Sequence, residues 1–157
     1  MGALQLDAIK PSYVPTGFSF RRQLTGESVA GIGKHQQQIQ LVYTTGWDHD
    51  DWTHPVTIYI RPAGEASLGA TEGRPGLDLD LGLPGSKAVY HDGWWAPETP
   101  PAGATRLQLI WDATTVHSIT VAYPEIQFAV RASRHAAKRI GDVTTVELVK
   151  VARSVQI

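Results

Sequence analysis

The segment GWDHDDWTHP, residues 46–55, gathers more reactive side chains than any other stretch of this chain. The carboxylates of Asp48, Asp50 and Asp51 and the imidazoles of His49 and His54 sit around two indoles, Trp47 and Trp52. Carboxylates and imidazoles bind zinc or manganese and move protons, so one chemistry for residues 48–54 is metal-dependent hydrolysis. The spacing argues against it. His49 and His54 are five apart, whereas two ligands on one helix face stand three or four apart. The acids also lack the central glycine and closing glutamate of a calcium loop. Asp and His suit polar turns without any ligand. The expectation is therefore a hairpin tip with no metal and no cofactor. Tyr43 and Val56 should sit at the bases of its paired strands, and the two indoles should turn one inward and one outward.

The second candidate chemistry is recognition by aromatic rings. Trp47 and Trp52 flank the first loop, and Trp94 and Trp95 follow the Asp92-Gly93 turn. Loop tryptophans can anchor a partner or roof a core. These four are the candidate ligand-binding residues, whereas Trp111 ends a strand and reads as core. Other templates fail. SVAGIGKH resembles a phosphate loop, but Ser28 and His35 fall where that loop needs a glycine and a hydroxyl residue. No G-x-S-x-G elbow exists. Asp78 and Asp80 form a carboxylate pair whose separation the sequence does not fix. The basic group Arg131, Arg134, His135, Lys138 and Arg139 reads as a solvated face.

The elements that must position these residues are mostly strands. The chain has 157 residues, 42% hydrophobic and 18% charged, which fits one globular domain over 1–157. A net charge of -1 gives no basic field, which argues against a nucleic-acid partner. There are no cysteines, so disulfides and thiolate metal sites are excluded. No apolar run approaches the roughly 20 residues of a membrane helix. The opening MGALQLDAIKPSYVP reads as the start of a domain cut from a longer parent that carries the signal or anchor.

Period-2 alternation marks strands in GFSFRRQLTG, QIQLVY, PVTIYIRP, KAVYH, TRLQLIW and HSITVAY. In the first of these, Phe18, Phe20 and Leu24 share a parity. Asp92-Gly93 has the form of a two-residue hairpin turn, and WDATTVH is a short connection, so neighbouring strands should meander antiparallel. Residues 62–86 read as a long loop with LDLDLGL as a short edge strand, Leu77, Leu79, Leu81 and Leu83 on one side of it. The stretch 125–139 suits either state; alternation of Ile126, Phe128 and Val130 favours strand. TTVELVKVARSV predicts a helix, with Leu148, Val151, Ala152 and Val155 on one stripe, Thr144 as N-cap and Glu147 three residues on. The fold class is α+β: a curved, mainly antiparallel sheet with a C-terminal helix packed on one face.

Four stretches in this order, PSYVPTGFSF, GSKAVYHDGWW, LQLIWDATTVHSITVAY and TTVELVKVARSV, resemble a bacterial domain family of unknown function. That family occurs in extracytoplasmic regions of anti-sigma-factor-like proteins and lipoproteins. Tyr13, Pro15, Gly17, Trp111, Leu148, Ala152 and Ser154 match its pattern; the 47–54 loop and the glycine-rich insert do not belong to it. The resemblance implies a half-barrel loosely similar to lipoprotein carriers and sigma-regulator sensors, with no catalytic residues. It points to a non-catalytic extracytoplasmic binding or sensing module for a protein partner or an apolar, lipid-like ligand. The alternatives are the metal-dependent hydrolase above and a protein-interaction scaffold working through an open sheet edge.

Overall fold

The structure is a computed structural model. It describes residues 8–31, 34–45, 55–62, 75–97, 109–134 and 142–156, leaving aside the side chains of 26–31, 34–37, 97 and 109. Seven strands form one sheet in the order β2 (Ser19–Gly31), β3 (Lys34–Thr44), β4 (Val56–Pro62), β10 (Ile126–Ser133), β9 (Val116–Ala122), β6 (Lys87–His91) and β5 (Leu77–Leu79). Two strand pairs stand beside it: β1 (Lys10–Pro11) with β11 (Val155–Gln156), and β7 (Trp94–Pro97) with β8 (Leu109–Asp112). Every pairing is antiparallel. The main sheet stays open, with β2 and β5 at its edges. Together with one C-terminal helix, α1 (Thr145–Ser154), this is the α+β fold that the alternation implied.

Register explains the core. Ile39 faces Ile60, Leu41 faces Ile58 and Tyr43 faces Val56. Phe128 lies between Ile60 and Val121, and Val130 between Ile58 and Ile119. Successive strand residues point to opposite faces, so these apolar pairs build one continuous inner face. Leu148, Val151, Ala152 and Val155 of the helix stripe and its end complete the cluster. The inner face is thus filled by the protein's own side chains. At about 25 cal/mol per Å², each large aliphatic in it stabilises the fold by ~1.5–3 kcal/mol relative to exposure.

Helix α1 starts where the sequence places it. Thr144 has extended backbone angles and its hydroxyl accepts from the Glu147 N–H at 3.2 Å. The Glu147 carboxylate turns outward from that cap and accepts from the Tyr13 hydroxyl and from Lys150 Nζ. Tyr13 belongs to a segment that laces the helix end: its N–H donates to Ser154 Oγ at 3.1 Å, and the Ser12 N–H donates to the Ser154 carbonyl at 3.0 Å. Just beyond, the Phe18 N–H donates to the Pro15 carbonyl across Thr16-Gly17. Gly17 has φ +92°, which is the third position of a type II turn and favours glycine. Tyr13, Gly17, Leu148, Ala152 and Ser154 all serve this N-terminal strap and the helix it holds.

Several expectations hold and several need correction. The segment 126–133 is strand β10, and Tyr43 and Val56 form the last pair of the β3–β4 ladder. LDLDLGL supplies an edge strand, with Leu81 buried, Leu79 and Leu83 packed on the core and Leu77 exposed. Leu24, however, does not share a face with Phe20. A bulge between Phe20 and Arg22 adds one residue, so Phe20 opposes Tyr43 on the inner face while Leu24 opposes Gln40 on the outer one. The β2–β3 pairing also runs further than its apolar alternation, through Val29↔His35.

Asp92-Gly93 is not a hairpin turn. β6 pairs with β9, and β7 pairs with β8. The chain therefore continues from β6 into β7 as one side of a long bent ribbon, and returns through β8 into β9. Residues 92–93 on one side oppose 113–117 on the other, and this asymmetry bends the ribbon. Gly93 is buried at the corner; a Cβ there would lie 2.4 Å from the Asp112 carbonyl oxygen. A two-residue turn signal cannot distinguish a reversal from such a corner, because glycine serves both: a hairpin turn needs its positive φ, and this corner needs its missing side chain.

Candidate functional site

The bend in the ribbon organises the outer face of the sheet. Its second strand turns at Asp112, whose carboxylate accepts from the Thr114 N–H at 2.8 Å, the Thr114 hydroxyl at 2.6 Å and the Thr115 hydroxyl at 2.8 Å. This is an Asx-type turn. The two Thr114 bonds, then the Thr115 bond, hold the Asp112 carboxyl below its ordinary range. The Thr115 hydroxyl oxygen in turn accepts from the Trp94 indole N–H at 3.0 Å. A relay from Trp94 through Thr115 to Asp112 thus fixes the indole.

The fixed indole stands beside a cation. The Arg131 guanidinium carbon lies 6.0 Å from the Trp94 ring centroid and 4.9 Å over the Tyr59 ring, and Arg131 also donates to the Tyr59 hydroxyl at 3.3 Å. Arg131 lies opposite Thr57 and Ser118, between the inward Val130 and Ala132, so it points to the face away from α1. Tyr59 shares that face, between Ile58 and Ile60. Two residues further along β4, Arg61 is half-buried, and burial lowers its pKa. All three side chains of the row Tyr59, Arg131, Trp94 are half-buried. Rings on a guanidinium attract it through their quadrupoles and leave its N–H edge able to meet a planar anion. Arg134 pins both corners of the ribbon, with its N–H on the Thr115 carbonyl at 2.9 Å and its guanidinium on the Asp92 carbonyl at 2.5 Å. Arg131 and Arg134 are therefore not a solvated basic face, since rings and corner carbonyls engage them. His135, Lys138 and Arg139 lie outside the described residues.

The four tryptophans separate. Trp94 and Trp95 are neighbours in β7 and so face opposite ways. Trp94 meets Arg131, whereas Trp95 packs edge-on against its cross-strand partner Trp111, centroids 5.5 Å apart at 79°. Trp111 is half-buried in this ribbon pair, beside His91 at 6.3 Å, and not in the main core. The core lies between the main sheet and α1, and β8 pairs only with β7. Trp47 and Trp52, and the whole 48–54 loop of the hydrolase reading, lie outside the described residues. Among the described residues no three His, Asp or Glu side chains gather as a metal site.

Sequence reasoning did not single out Tyr59, Thr115 or Asp112. Signals for them exist. Tyr59 and Arg61 occupy the polar parity of a strand whose other parity is all aliphatic, and DATT is a turn-forming string. It likewise passed over His117, which is 1% exposed on the inner face and bonded to Tyr90 and to the Val143 carbonyl. Comparison of the chain with protein-family models, with curated proteins and with solved structures gives no match.

Proposed function

We propose that this chain is a non-catalytic binding or sensing module of an extracytoplasmic protein. Its partner is a protein surface bearing carboxylates, which docks on the outer face at Tyr59, Arg131 and Trp94. The observation that carries this reading is the ring–guanidinium–ring row, held by the Trp94–Thr115–Asp112 relay on the sheet face away from α1. Aromatic residues and arginine are enriched where interfaces concentrate their energy, and anchors fixed before binding lose little entropy on association. An enclosed apolar ligand has less support, because Ile58, Phe128, Val130 and the helix residues fill the inner face. The extracytoplasmic setting rests on the family resemblance alone. A sheet-edge scaffold is the second reading: it would use the β2 edge, 13 residues long, since β5 has only three residues and short edges resist strand addition.

Titration with a glutamate-rich peptide, followed by tryptophan fluorescence, tests the docking face. Saturable binding that weakens with salt, and that Arg131→Ala and Trp94→Ala each abolish while still melting cooperatively, supports it. Equal binding by wild type and both variants, or saturation only with anionic lipid vesicles, overturns it. Fractionation of cells expressing the full-length parent tests the compartment: a cytoplasmic pool without an exported one removes the extracytoplasmic assignment.

A further inference from the structure

Among the described residues, the buried part of the inner face holds one imidazole. His117 on β9 is 1% exposed, opposite Ala132 of β10. Its Nε2 lies 2.8 Å from the Val143 carbonyl oxygen, which can only accept, so the proton resides on Nε2. Nδ1 then carries a lone pair and accepts from the Tyr90 hydroxyl of β6 at 3.0 Å. The Tyr90 oxygen lies 3.5 Å from the Thr145 hydroxyl in the first turn of α1. One neutral imidazole thus ties together β6, β9 and residues 143–145, where the chain enters its helix. The same junction is held by the Val143 N–H on the Ser133 carbonyl and by the Ser133 hydroxyl on the Asp142 carboxylate, both at 3.0 Å.

We propose that His117 is an acid-released latch on the entry to the C-terminal helix: protonation at Nδ1 forces the bond with Tyr90 to reverse, buries a charge, and frees residues 142–147 from the sheet before the strands themselves open. The charged and polar groups that face this imidazole among the described residues are these. From β10 the ionic neighbour is Arg134, a like charge. From β6 the facing group is Tyr90, a neutral phenol. From the junction, Asp142 is a carboxylate directed to the Ser133 hydroxyl. From α1, Thr145 is neutral, and the Glu147 carboxylate is taken by Tyr13 and Lys150. Burial first, with Arg134 adding to it, draws the His117 pKa below its ordinary value of about 6.5, against the opposing bond to Val143. The sign follows. The neutral form is the folded one, so its stabilisation is complete above about pH 6.5 and is lost as pH falls from there through the lower folded value. Carboxylates release their protons at lower pH, which separates this window from general acid unfolding.

Backbone amide exchange on the full chain, corrected for intrinsic rates, tests the latch at pH 7.5 and 5.0. Protection at 143–149 should fall severalfold relative to Ile58–Ile60 and Phe128–Val130, with a ceiling of roughly thirtyfold at pH 5.0 set by the ordinary imidazole value of about 6.5. In His117→Gln, whose amide offers both an acceptor and a donor without titrating, the junction should remain protected at both pH values. Should that variant fail to fold, Tyr90→Phe serves. It removes the phenol hydroxyl from both Nδ1 and Thr145 and should move the midpoint of junction opening to higher pH. A junction that stays closed at pH 5.0 overturns the proposal. So does parallel loss of protection in junction and strands, acid opening that persists in His117→Gln, or an unmoved midpoint in Tyr90→Phe.

Discussion

The indole N–H of Trp94 donates to the Thr115 hydroxyl at 3.0 Å across the bend of the ribbon, and Thr115 is itself anchored on Asp112. The orientation of the exposed-face aromatic is therefore set by a residue that no partner needs to touch. Thr115→Val should release Trp94 while costing about 0.5–1.5 kcal/mol, the net worth of an ordinary hydrogen bond. The check is urea unfolding together with acrylamide quenching. Quenching as efficient as in Asp112→Ala would place both residues in one relay, and unchanged quenching in both would dismiss it.

Leu148 is fully buried against the sheet, whereas Val146, two residues earlier, is 65% exposed. Leu148→Ala should cost ~2–5 kcal/mol, and Val146→Ala should stay within about 0.5 kcal/mol. Truncation after Thr144 removes Leu148, Val151 and Val155 together. With domains stable by only ~5–15 kcal/mol, that protein should be unfolded or aggregated. Circular dichroism melts decide, and a cooperative transition near the parent midpoint would show that the helix is dispensable.

Gly93 has no room for a side chain, because the obstructing atom is the backbone carbonyl of Asp112. Gly93→Ala should destabilise by about 1–3 kcal/mol through overpacking at the corner. Its effect should centre on the ribbon, seen as a change in the near-ultraviolet signal of the Trp95–Trp111 pair.

Two carboxyls are held below their ordinary pKa: Asp112 by its Thr114 and Thr115 bonds, and Glu147 first by the Tyr13 hydroxyl and then by Lys150. A lowered carboxyl pKa means that the unfolded chain binds the proton more tightly. The stabilisation is present above the ordinary carboxyl range and is lost as pH falls through the folded values. Melting temperature should therefore drop between about pH 4.5 and pH 3, and Tyr13→Phe should make that acid limb shallower. An identical limb in the variant would remove Glu147 from the account.

For the 46–54 loop, expected to hold no metal, protein purified without chelator should carry less than one zinc or manganese per chain by elemental analysis. Replacing Asp48, His49, Asp50 and His54 with Ser or Asn should change stability by no more than ~0.5 kcal/mol each. Stoichiometric metal that the replacement removes would reinstate the hydrolase reading.

Much of this fold was legible because its signals are local. Alternation of Ile58 and Ile60 with Tyr59, the Thr144–Glu147 cap and the helical stripe each depend on a few consecutive residues. What escaped depends on partners distant in sequence. The bulge at Arg21 inverts the face of Leu24 without altering composition. Gly93 looks the same in a reversal and in a corner. Tyr13 finds Glu147, and Arg131 finds Trp94 and Tyr59, only once the strands are assembled. The candidate site is hidden for the same reason, since its three residues come from β4, β7 and β10 and share no motif.

The pairing of Lys10–Pro11 with Val155–Gln156 joins segments more than 140 residues apart, as does the Ser12–Ser154 bond. On the ribosome Ser154 follows Tyr13 by 141 residues, so the strap at Tyr13 waits unpartnered while the sheet between them is made. Contacts of such long range close late and slow the final step. The nascent chain should therefore remain protease-sensitive until α1 emerges, then gain resistance in a single late event. Any machine that must capture the polypeptide before it locks has that interval in which to act.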